Sequence, residues 1–317
     1  ADSLGKIIHK IKKLTNSSYP IEVTLEVNPR TADFEQLNHF RDVGVNRISV
    51  GVQSLSDWKL KVLGRENSPY DTYRLFENII KAGFLNYSSD LMYGCSYESL
   101  KEWKSDLEIA LEFHTTHISA YCLTIEEDTA FGSMFAKGEL PLPSEETLSD
   151  MFMLTSELLD CAGYYQYEIS NFAKNGFECK HNLLYWRGDN YLGVGAGAHS
   201  HIQPSEYSVW GKRWANIKSP SLYMEKLFRG LKPIVFQEFI DRETAIKEKV
   251  LMGLRLREGV SLSLLTERFG VNLITNNVHN LVDDGYLDIF NDSLRVNKNS
   301  LLISNEIIYK VLDSVVC

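Results

Sequence analysis

Apolar and polar positions alternate in two different periods along the first 170 residues. Runs with a period of two, rich in β-branched residues, predict strands. They lie at 21–26, 47–52, about 86–92, 117–123 and 164–169. Apolar residues at helical spacing predict the helices between them. These helices lie between Thr31, the expected N-cap, and Gly44, at 57–63, at 71–82, around 100–111, and from the cap Ser144 to about 158. Strands that alternate with helices favour parallel pairing through right-handed crossovers, in a TIM-type barrel or a doubly wound sheet.

Polar side chains stand at the carboxyl ends of these predicted strands. They are Glu26, Gln53, Asp90 and Thr124. In a barrel of parallel strands that end carries the chemistry. The pattern therefore predicts a site built from these residues.

The segment 171–236 has no clear period and is rich in Gly, Asn, His, Tyr and Trp. So long an irregular stretch in a compact protein is usually either functional or wrongly assigned as irregular. Helical spacing returns from about 238, with helices at 241–257, after the expected cap Ser261, and up to about 284. Two β-like runs at 286–290 and 293–296 follow. We therefore predict three parts: a partial barrel at 1–173, a linking region at 174–237, and a winged-helix-like domain at 238–317.

Charge and composition exclude several classes of function. The chain of 317 residues has a net charge of −9, whereas a nucleic-acid binder needs a basic surface. Residues 241–317 hold 9 Lys and Arg against 11 Asp and Glu, a net charge of −2, so the predicted winged helix is not expected to bind DNA. The sequence contains no run of 18 apolar residues, so it predicts no membrane span. Peripheral contact with a membrane stays compatible with the sequence. The five cysteines form no CxxC pair, which favours reduced thiols in a cytoplasmic protein.

Six segments, in order along the chain, carry a family resemblance. They are TLEVNP at 24–29, GVNRISVGVQS at 44–54 with Gly64-Arg65 after it, DLMYG at 90–94, YEISNFA at 167–173, HNLLYW at 181–186 and GVGAGAH at 193–199. Together they resemble the radical S-adenosylmethionine family of oxygen-independent coproporphyrinogen III oxidase-like proteins. The His-Asn-x-x-Tyr-Trp segment is similar to the heme chaperone branch. The resemblance implies an α/β fold, an incomplete (β/α) TIM-type barrel of parallel strands with a small C-terminal winged-helix-like domain.

Two features of that family are absent from this sequence. They are a Cys-x3-Cys-x2-Cys loop, which holds a [4Fe–4S] cluster, and a Gly-Gly-Gly-Thr-Pro-Ser stretch, which binds S-adenosylmethionine. We therefore expect about two strands and one helix of the barrel to be missing, and the strand at 21–26 to have an unpaired edge. The chain as it stands is predicted not to be a radical enzyme, and to be either a fragment or a degenerate protein. Cys95-Ser96-Tyr97-Glu98 stands where the family usually has Leu-Pro-Gly-Gln.

The resemblance also implies which residues bind cofactors. Glu26, Gln53, Arg65 and Asp90 match positions that contact S-adenosylmethionine, where carboxylates and a guanidinium can pair with its polar groups. Thr124 and Tyr167 complete this predicted set. The alternative is that Glu26, Arg65 and Asp90 form ion pairs that close the open end of the barrel.

His181 is the predicted ligand of heme iron, because a neutral imidazole binds iron and Tyr185 and Trp186 can stack on a porphyrin. The alternative is a histidine hydrogen-bonded within the protein. Cys179 is a second possible iron ligand. His199 is predicted to lie near the site, on a tight glycine turn.

Two other site types are disfavoured by the pattern. His199 and His201 lack the further ligands that zinc needs. The Gly193-x-Gly195-x-Gly197 spacing lacks the βαβ context of a dinucleotide site. The acidic run Glu126-Glu127-Asp128 is interpreted as a solvated surface.

The leading functional hypothesis is that the chain binds heme for delivery to acceptor proteins. The first alternative is oxygen-independent coproporphyrinogen III oxidation, a radical S-adenosylmethionine reaction, if the cluster region precedes this sequence. The second alternative is a non-catalytic remnant that acts as a binding module.

Overall fold

The structure, a computed structural model, describes residues 1–15, 21–203 and 209–314. It contains two compact units, Ala1–Glu178 and Cys179–Cys317, which are described separately. The predicted division into three parts at 173 and 237 stays a prediction. In the described ranges no helix is long and apolar enough to cross a membrane.

The first unit alternates strands and helices. Its strands are β1 (Thr24–Val27), β2 (Arg47–Gln53), β3 (Tyr87–Tyr93), β4 (His117–Cys122), β5 (Tyr165–Gln166) and β6 (Asn171–Ala173). Its helices are α1 (Asp2–Thr15), α2 (Phe34–Asp42), α3 (Asp57–Val62), α4 (Pro69–Lys81), α5 (Leu100–Glu112), α6 (Ala130–Ala136) and α7 (Glu145–Cys161). The predicted alternation is confirmed, and α1 is an element that the apolar pattern did not predict.

The six strands form one sheet in the order β1-β2-β3-β4-β6-β5. The first four are parallel, and β6 runs antiparallel to both β4 and β5. The prediction of one parallel strand over 164–169 is wrong. A tight turn divides it, in which the Gln166 side chain donates to the carbonyl of Ile169 at 3.0 Å. β1 is an edge strand, as predicted for residues 21–26.

Side-chain caps fix where the helices begin. Ser68 and Asp71 form a capping box at α4, with Pro69 in its first turn. The same arrangement begins α5. The prediction that Thr31 caps α2 is wrong, because Asp33 accepts the bond from the Gln36 backbone instead. The Thr31 hydroxyl donates to the Asn28 carbonyl at 2.6 Å in the preceding turn.

The two faces of the sheet differ in polarity, because successive side chains of a strand point to opposite faces. One face packs apolar residues of β2, β3, β4 and β6 under the helices. These residues are Ile48, Val50, Val52, Leu91, Ile118 and Phe172. The other face carries polar side chains, among them Ser49, Asp90 and Ser119. The fold therefore separates an apolar core from a polar face of the sheet.

The second unit begins with a helix and a small antiparallel sheet. Its first elements are α8 (Lys180–Arg187), β7 (His199–Ile202), β8 (Lys212–Asn216), α9 (Pro220–Phe228) and β9 (Ile234–Phe239). The strand order is β7-β8-β9. The expectation of an irregular segment over 171–236 is wrong. These strands carry polar residues on both faces, so they show no apolar alternation, and they are joined by pairs such as Arg213 with Glu238 at 2.6 Å.

The rest of the second unit confirms the winged-helix-like prediction. It comprises α10 (Arg242–Gly253), β10 (Val260–Ser261), α11 (Leu262–Phe269), α12 (Asn276–Asp283), β11 (Leu287–Phe290), β12 (Ser293–Val296), a 3₁₀ turn (Lys298–Ile303) and α13 (Ser304–Asp313). A three-stranded sheet in the order β10-β12-β11 contains the predicted hairpin. Ser261 caps α11, as predicted.

Candidate functional site

Asp90 lies at the centre of the polar face of the first unit. Its two carboxylate oxygens accept hydrogen bonds from the hydroxyls of Ser49 and Ser119, both at 2.8 Å. The Ser49 and Ser88 hydroxyls are also 2.8 Å apart. Adjacent parallel strands bring these residues into register, since Ser49 pairs with Ser88 and Asp90 pairs with Ser119. The carboxylate therefore has a fixed orientation.

Burial raises the pKa of Asp90 above its ordinary value. The hydrogen bonds from Ser119 and Ser49 and the charge of Arg47 oppose this effect, and the charge of Glu26 adds to it. Arg47 is buried and donates to the Ser88 hydroxyl at 3.3 Å. A cation bound next to Asp90 would therefore stabilise the charged form of this carboxylate.

His117 and Tyr167 form a second polar pair nearby on this sheet. The Nε2 atom of His117 lies 2.9 Å from the Tyr167 hydroxyl. Burial, with a smaller effect from Arg47, lowers the pKa of His117 to about 3. The imidazole is therefore neutral, and its buried Nδ1 has no hydrogen-bond partner among the described residues. Tyr167, predicted as a cofactor-binding residue, is 4% exposed and contacts a histidine that sequence reasoning missed.

The remaining predicted residues of the first unit lie at the carboxyl ends of the strands. Glu26 is exposed on β1 and pairs in register with Ser49. Gln53 ends β2 with a left-handed φ of 63°. Arg65 and Thr124 are exposed in the turns after α3 and β4. The structure thus gathers Glu26 and Asp90 on one face.

The predicted alternative, in which Glu26, Arg65 and Asp90 close the barrel by ion pairing, is wrong. None of these three described residues takes part in the ion pairs that the structure contains within the described ranges. The Asp90 carboxylate is held instead by the hydroxyls of Ser49 and Ser119.

A buried network of charged side chains contacts the residues that immediately follow β2. Lys59 forms an ion pair with Glu98 and a second with Asp106, at 3.1 Å. Asp106 also accepts from the Ser54 hydroxyl at 2.7 Å and from the Leu55 backbone at 2.9 Å. Sequence reasoning missed this network. Its one signal was Glu98, which stands where the resembled family has glutamine.

The second unit carries a row of rings that begins on α8. The rings of His181 and Tyr185 meet edge to face with centroids 4.9 Å apart, as expected one turn apart on a helix. Tyr185 lies 4.4 Å from Tyr191, and Tyr191 lies 5.8 Å from His201. His181 is exposed. The predicted ligand therefore lies at the outer end of a row of four rings.

The helix α8 is attached to the following helical region. The Arg187 guanidinium donates to the Glu258 carboxylate at 2.8 and 2.9 Å, and the Lys249 ammonium donates to the Arg187 carbonyl at 2.8 Å. Trp186 lies under the Arg255 guanidinium at 5.5 Å. One face of the Trp186 ring is therefore covered by its cation–π contact with Arg255.

The second unit contains a cavity of about 260 Å³. Aromatic rings of Tyr185, Tyr191, Trp210 and Phe269 line it, together with His201. His199 is exposed on β7, two residues away. A Cβ on Gly193 would lie 2.1 Å from the His199 carbonyl oxygen, so this close backbone approach requires glycine. The predicted tight glycine turn is thus present, with His199 at its edge.

The residues do not fit a [4Fe–4S] cluster. In the described part of the chain no three Cys, His, Asp or Glu side chains gather as metal ligands. Cys95 is buried, Cys122 and Cys161 are exposed on separate elements, and Cys179 is half-buried at the start of α8.

Comparison with known proteins defines the class. Residues 2–110 match the Radical SAM superfamily, and residues 240–303 match the HemN C-terminal domain. The solved structure of Escherichia coli coproporphyrinogen III oxidase (HemN), a radical SAM enzyme, matches 97% of this chain and 74% of its own, with a TM-score of 0.74. At 19% identity this likeness shows the fold alone.

The curated relatives of this chain include heme chaperones from several bacteria. The heme chaperone HemW of Bacillus subtilis (strain 168) is 32% identical over 310 residues, which is 96% of this chain and 80% of the relative. HemW of Escherichia coli (strain K12) is 43% identical over 181 residues, 57% of this chain and 47% of the relative. The chain belongs to the HemW heme chaperone family of radical SAM proteins. The resemblance and the fold class inferred from the sequence are confirmed.

Proposed function

We propose that this chain binds heme through its second unit and delivers it to acceptor proteins. The observation that carries the proposal is the row of rings from His181 through Tyr185 and Tyr191 to His201, which borders a cavity. Flat aromatic walls suit a porphyrin face, and a neutral imidazole suits ferric or ferrous heme iron. The names of the curated relatives agree with this ligand.

The first test is a heme titration followed in the Soret region. Saturation near one equivalent supports the proposal, and the absence of saturable binding overturns it. The same titration on His181→Ala tests the ligand inferred from the sequence. Binding that survives this substitution removes His181 as the iron ligand without removing heme binding.

Delivery is tested separately from binding. The heme-loaded chain is mixed with apomyoglobin, and the appearance of the holomyoglobin spectrum is followed over time. Transfer faster than release into a solution of heme scavenger alone supports delivery by contact. If the two rates are equal, the chain releases heme passively and does not deliver it by contact with the acceptor.

We propose further that the polar face of the first unit binds S-adenosylmethionine weakly. The supporting observation is the placement of Glu26 and Asp90 on one face, because the cofactor carries a sulfonium and an ammonium that carboxylates attract. Gln53, Arg65, Thr124 and Tyr167 are the other proposed contacts. Calorimetry with S-adenosylmethionine tests this, and heat that is unchanged in Asp90→Asn would overturn the assignment.

A further inference from the structure

We propose that His201 is the axial ligand of heme iron, with the porphyrin edge held in the cavity of the second unit. This inference rests on the proposed heme binding and names the atoms that perform it. Neither His181 nor His199 is among the residues that line the cavity, whereas His201 is. The assignment therefore differs from the one that the sequence suggested.

The hydrogen bonding of His201 sets which nitrogen can bind iron. Its Nδ1 lies 3.2 Å from the backbone carbonyl oxygen of Asp189. A carbonyl only accepts, so Nδ1 carries the proton and Nε2 keeps its lone pair. Histidines that bind metals usually donate their other N–H to such a carbonyl, which fixes the ring orientation. His201 has this arrangement before any metal is present.

Gly211, which immediately precedes β8, lies close to Nε2 of His201. A Cβ placed on Gly211 would lie 3.7 Å from this nitrogen, and Gly211 adopts a left-handed φ of +110°. A side chain at position 211 would therefore be strained, and it would narrow the space next to the proposed ligand atom.

Two pairs of aromatic rings line the cavity. Tyr185 and Tyr191 have ring centroids 4.4 Å apart and are tilted by 54°. Trp210 and Phe269 stack with centroids 5.8 Å apart and an interplanar angle of 22°. These rings offer broad faces to a planar macrocycle. The cavity of about 260 Å³ falls just below the range of roughly 300–1,000 Å³ typical of small-molecule sites. Only an edge of a porphyrin would therefore enter the cavity, which suits a ligand that is passed on.

The charges around the cavity match the two propionates of heme. Lys249 and Arg268 both line it, and neither forms an ion pair with a carboxylate among the described residues. Arg213, in contrast, is neutralised by Glu238 and Glu248, both at 2.6 Å. Burial lowers the pKa of Lys249, so a carboxylate beside it would favour its charged form.

The test compares His201→Ala with His199→Ala, a control on the same face of β7. The full chain is titrated with heme in the Soret region, and both variants are checked for native thermal unfolding. His201→Ala is expected to raise the heme Kd about tenfold to a hundredfold and to lose the histidine–iron spectrum. His199→Ala is expected to keep a heme Kd within about threefold of the wild-type value.

Metal-free protoporphyrin IX separates ligation from packing. The Kd of metal-free protoporphyrin IX, measured by fluorescence, is expected to differ less than about threefold between the wild type and His201→Ala. This ligand has no iron, so neither protein can form the histidine–iron bond with it. The double variant Lys249→Ala/Arg268→Ala is expected to weaken both porphyrins about tenfold or more, because charge-assisted contacts are lost. Added imidazole is expected to restore the heme spectrum in His201→Gly.

The outcomes distinguish the two proposals. If the wild type does not bind heme, the proposed function fails. If the wild type binds and His201→Ala keeps its affinity and spectrum, the ligand assignment fails while heme binding stands. If His201→Ala weakens metal-free protoporphyrin as much as heme, His201 shapes the cavity without binding iron, and the inference is overturned.

Discussion

Removal of the Lys59 ammonium is expected to destabilise the first unit strongly at neutral pH. The side chains of Lys59, Glu98 and Asp106 are 1%, 0% and 4% exposed. Replacing Lys59 with methionine keeps the length of the side chain and leaves two buried carboxylates without their cation. Breaking a buried ion pair from one side costs about 3–5 kcal/mol. Two acidic partners in place of one put this variant in the upper part of that range.

The cost of Lys59→Met is expected to fall at lower pH. Burial raises the pKa of Glu98 already in the wild type, and the nearby lysine opposes that rise. Without the lysine the pKa of Glu98 rises further above its unfolded value. A raised carboxyl pKa contributes stability that is present below the unfolded value and is lost as pH rises through the folded value. The penalty at pH 5.5 should therefore be smaller than at pH 7.5 by about 1 kcal/mol or more.

Glu98→Gln is the matched test of the charge argument. It leaves Lys59 paired one to one with Asp106, and its single amide oxygen can accept from the Cys95 backbone or from the Lys59 ammonium, but not from both. Its expected cost is about 1–3 kcal/mol, below that of Lys59→Met. Lys104→Met serves as the control, because Lys104 is half-exposed in a surface pair with Glu108 at 3.6 Å. A change within about 0.5 kcal/mol is expected there.

Amide hydrogen exchange of peptides from β2 and α5 is the appropriate assay, since it reports opening of this unit even if the two units unfold separately. Urea unfolding at both pH values provides the global free energy. Equal costs for Lys59→Met and Lys104→Met, or a Lys59→Met penalty that is the same at both pH values, would refute the reasoning.

Three further results are expected. Gly259→Ala should destabilise the second unit by about 3 kcal/mol or more in urea unfolding, because its Cβ would lie 2.3 Å from the Leu294 carbonyl oxygen, whereas Gly285→Ala, with open space, should cost about 1 kcal/mol. His117, with its pKa lowered to about 3, is neutral when folded but takes up a proton when unfolded below pH 6.5, so stability is lost as pH falls through that window. The wild type should lose about 2 kcal/mol between pH 7 and 5 from this group, and an unchanged pH slope in His117→Gln would contradict this. Burial raises the pKa of the Cys95 thiol to about 12, so labelling at pH 8 with mass-spectrometric readout should modify the exposed Cys161 and spare Cys95 until the chain unfolds.

The sequence predicted the elements in which apolar residues recur at regular spacing. The strands β1 to β4 and the helices that follow them carry apolar residues at regular spacing, and their caps are local. The antiparallel sheet β7-β8-β9 escaped prediction because β7 and β8 are mostly polar and β9 shows no alternation of apolar and polar residues. The pairing also joins residues far apart in the sequence, such as Arg213 and Glu238. Local pattern carries no information on such pairing.

The sequence likewise indicated some residues of the candidate site and missed others. The carboxyl ends of parallel strands pointed to Glu26 and Asp90, and the structure puts both on one face. The Lys59 network joins residues 39 and 47 positions apart, so no spacing rule reaches it. His201 was noted only as a second histidine, because its distinguishing contact is with the Asp189 carbonyl and exists only in the folded chain.

The attachment of α8 has a consequence for how the family's parts can be exchanged. The His-Asn-x-x-Tyr-Trp helix is fixed by Arg187 to Glu258 and by Lys249 to the Arg187 carbonyl, all within the second unit. A chimera joined at residues 178 and 179 would therefore transplant the motif, its supports and the cavity as one cassette. A junction at about 238, where the helical C-terminal region starts, would separate the motif from the residues that hold it. The choice of junction thus decides whether a hybrid between relatives keeps the proposed heme site together with the contacts that hold α8.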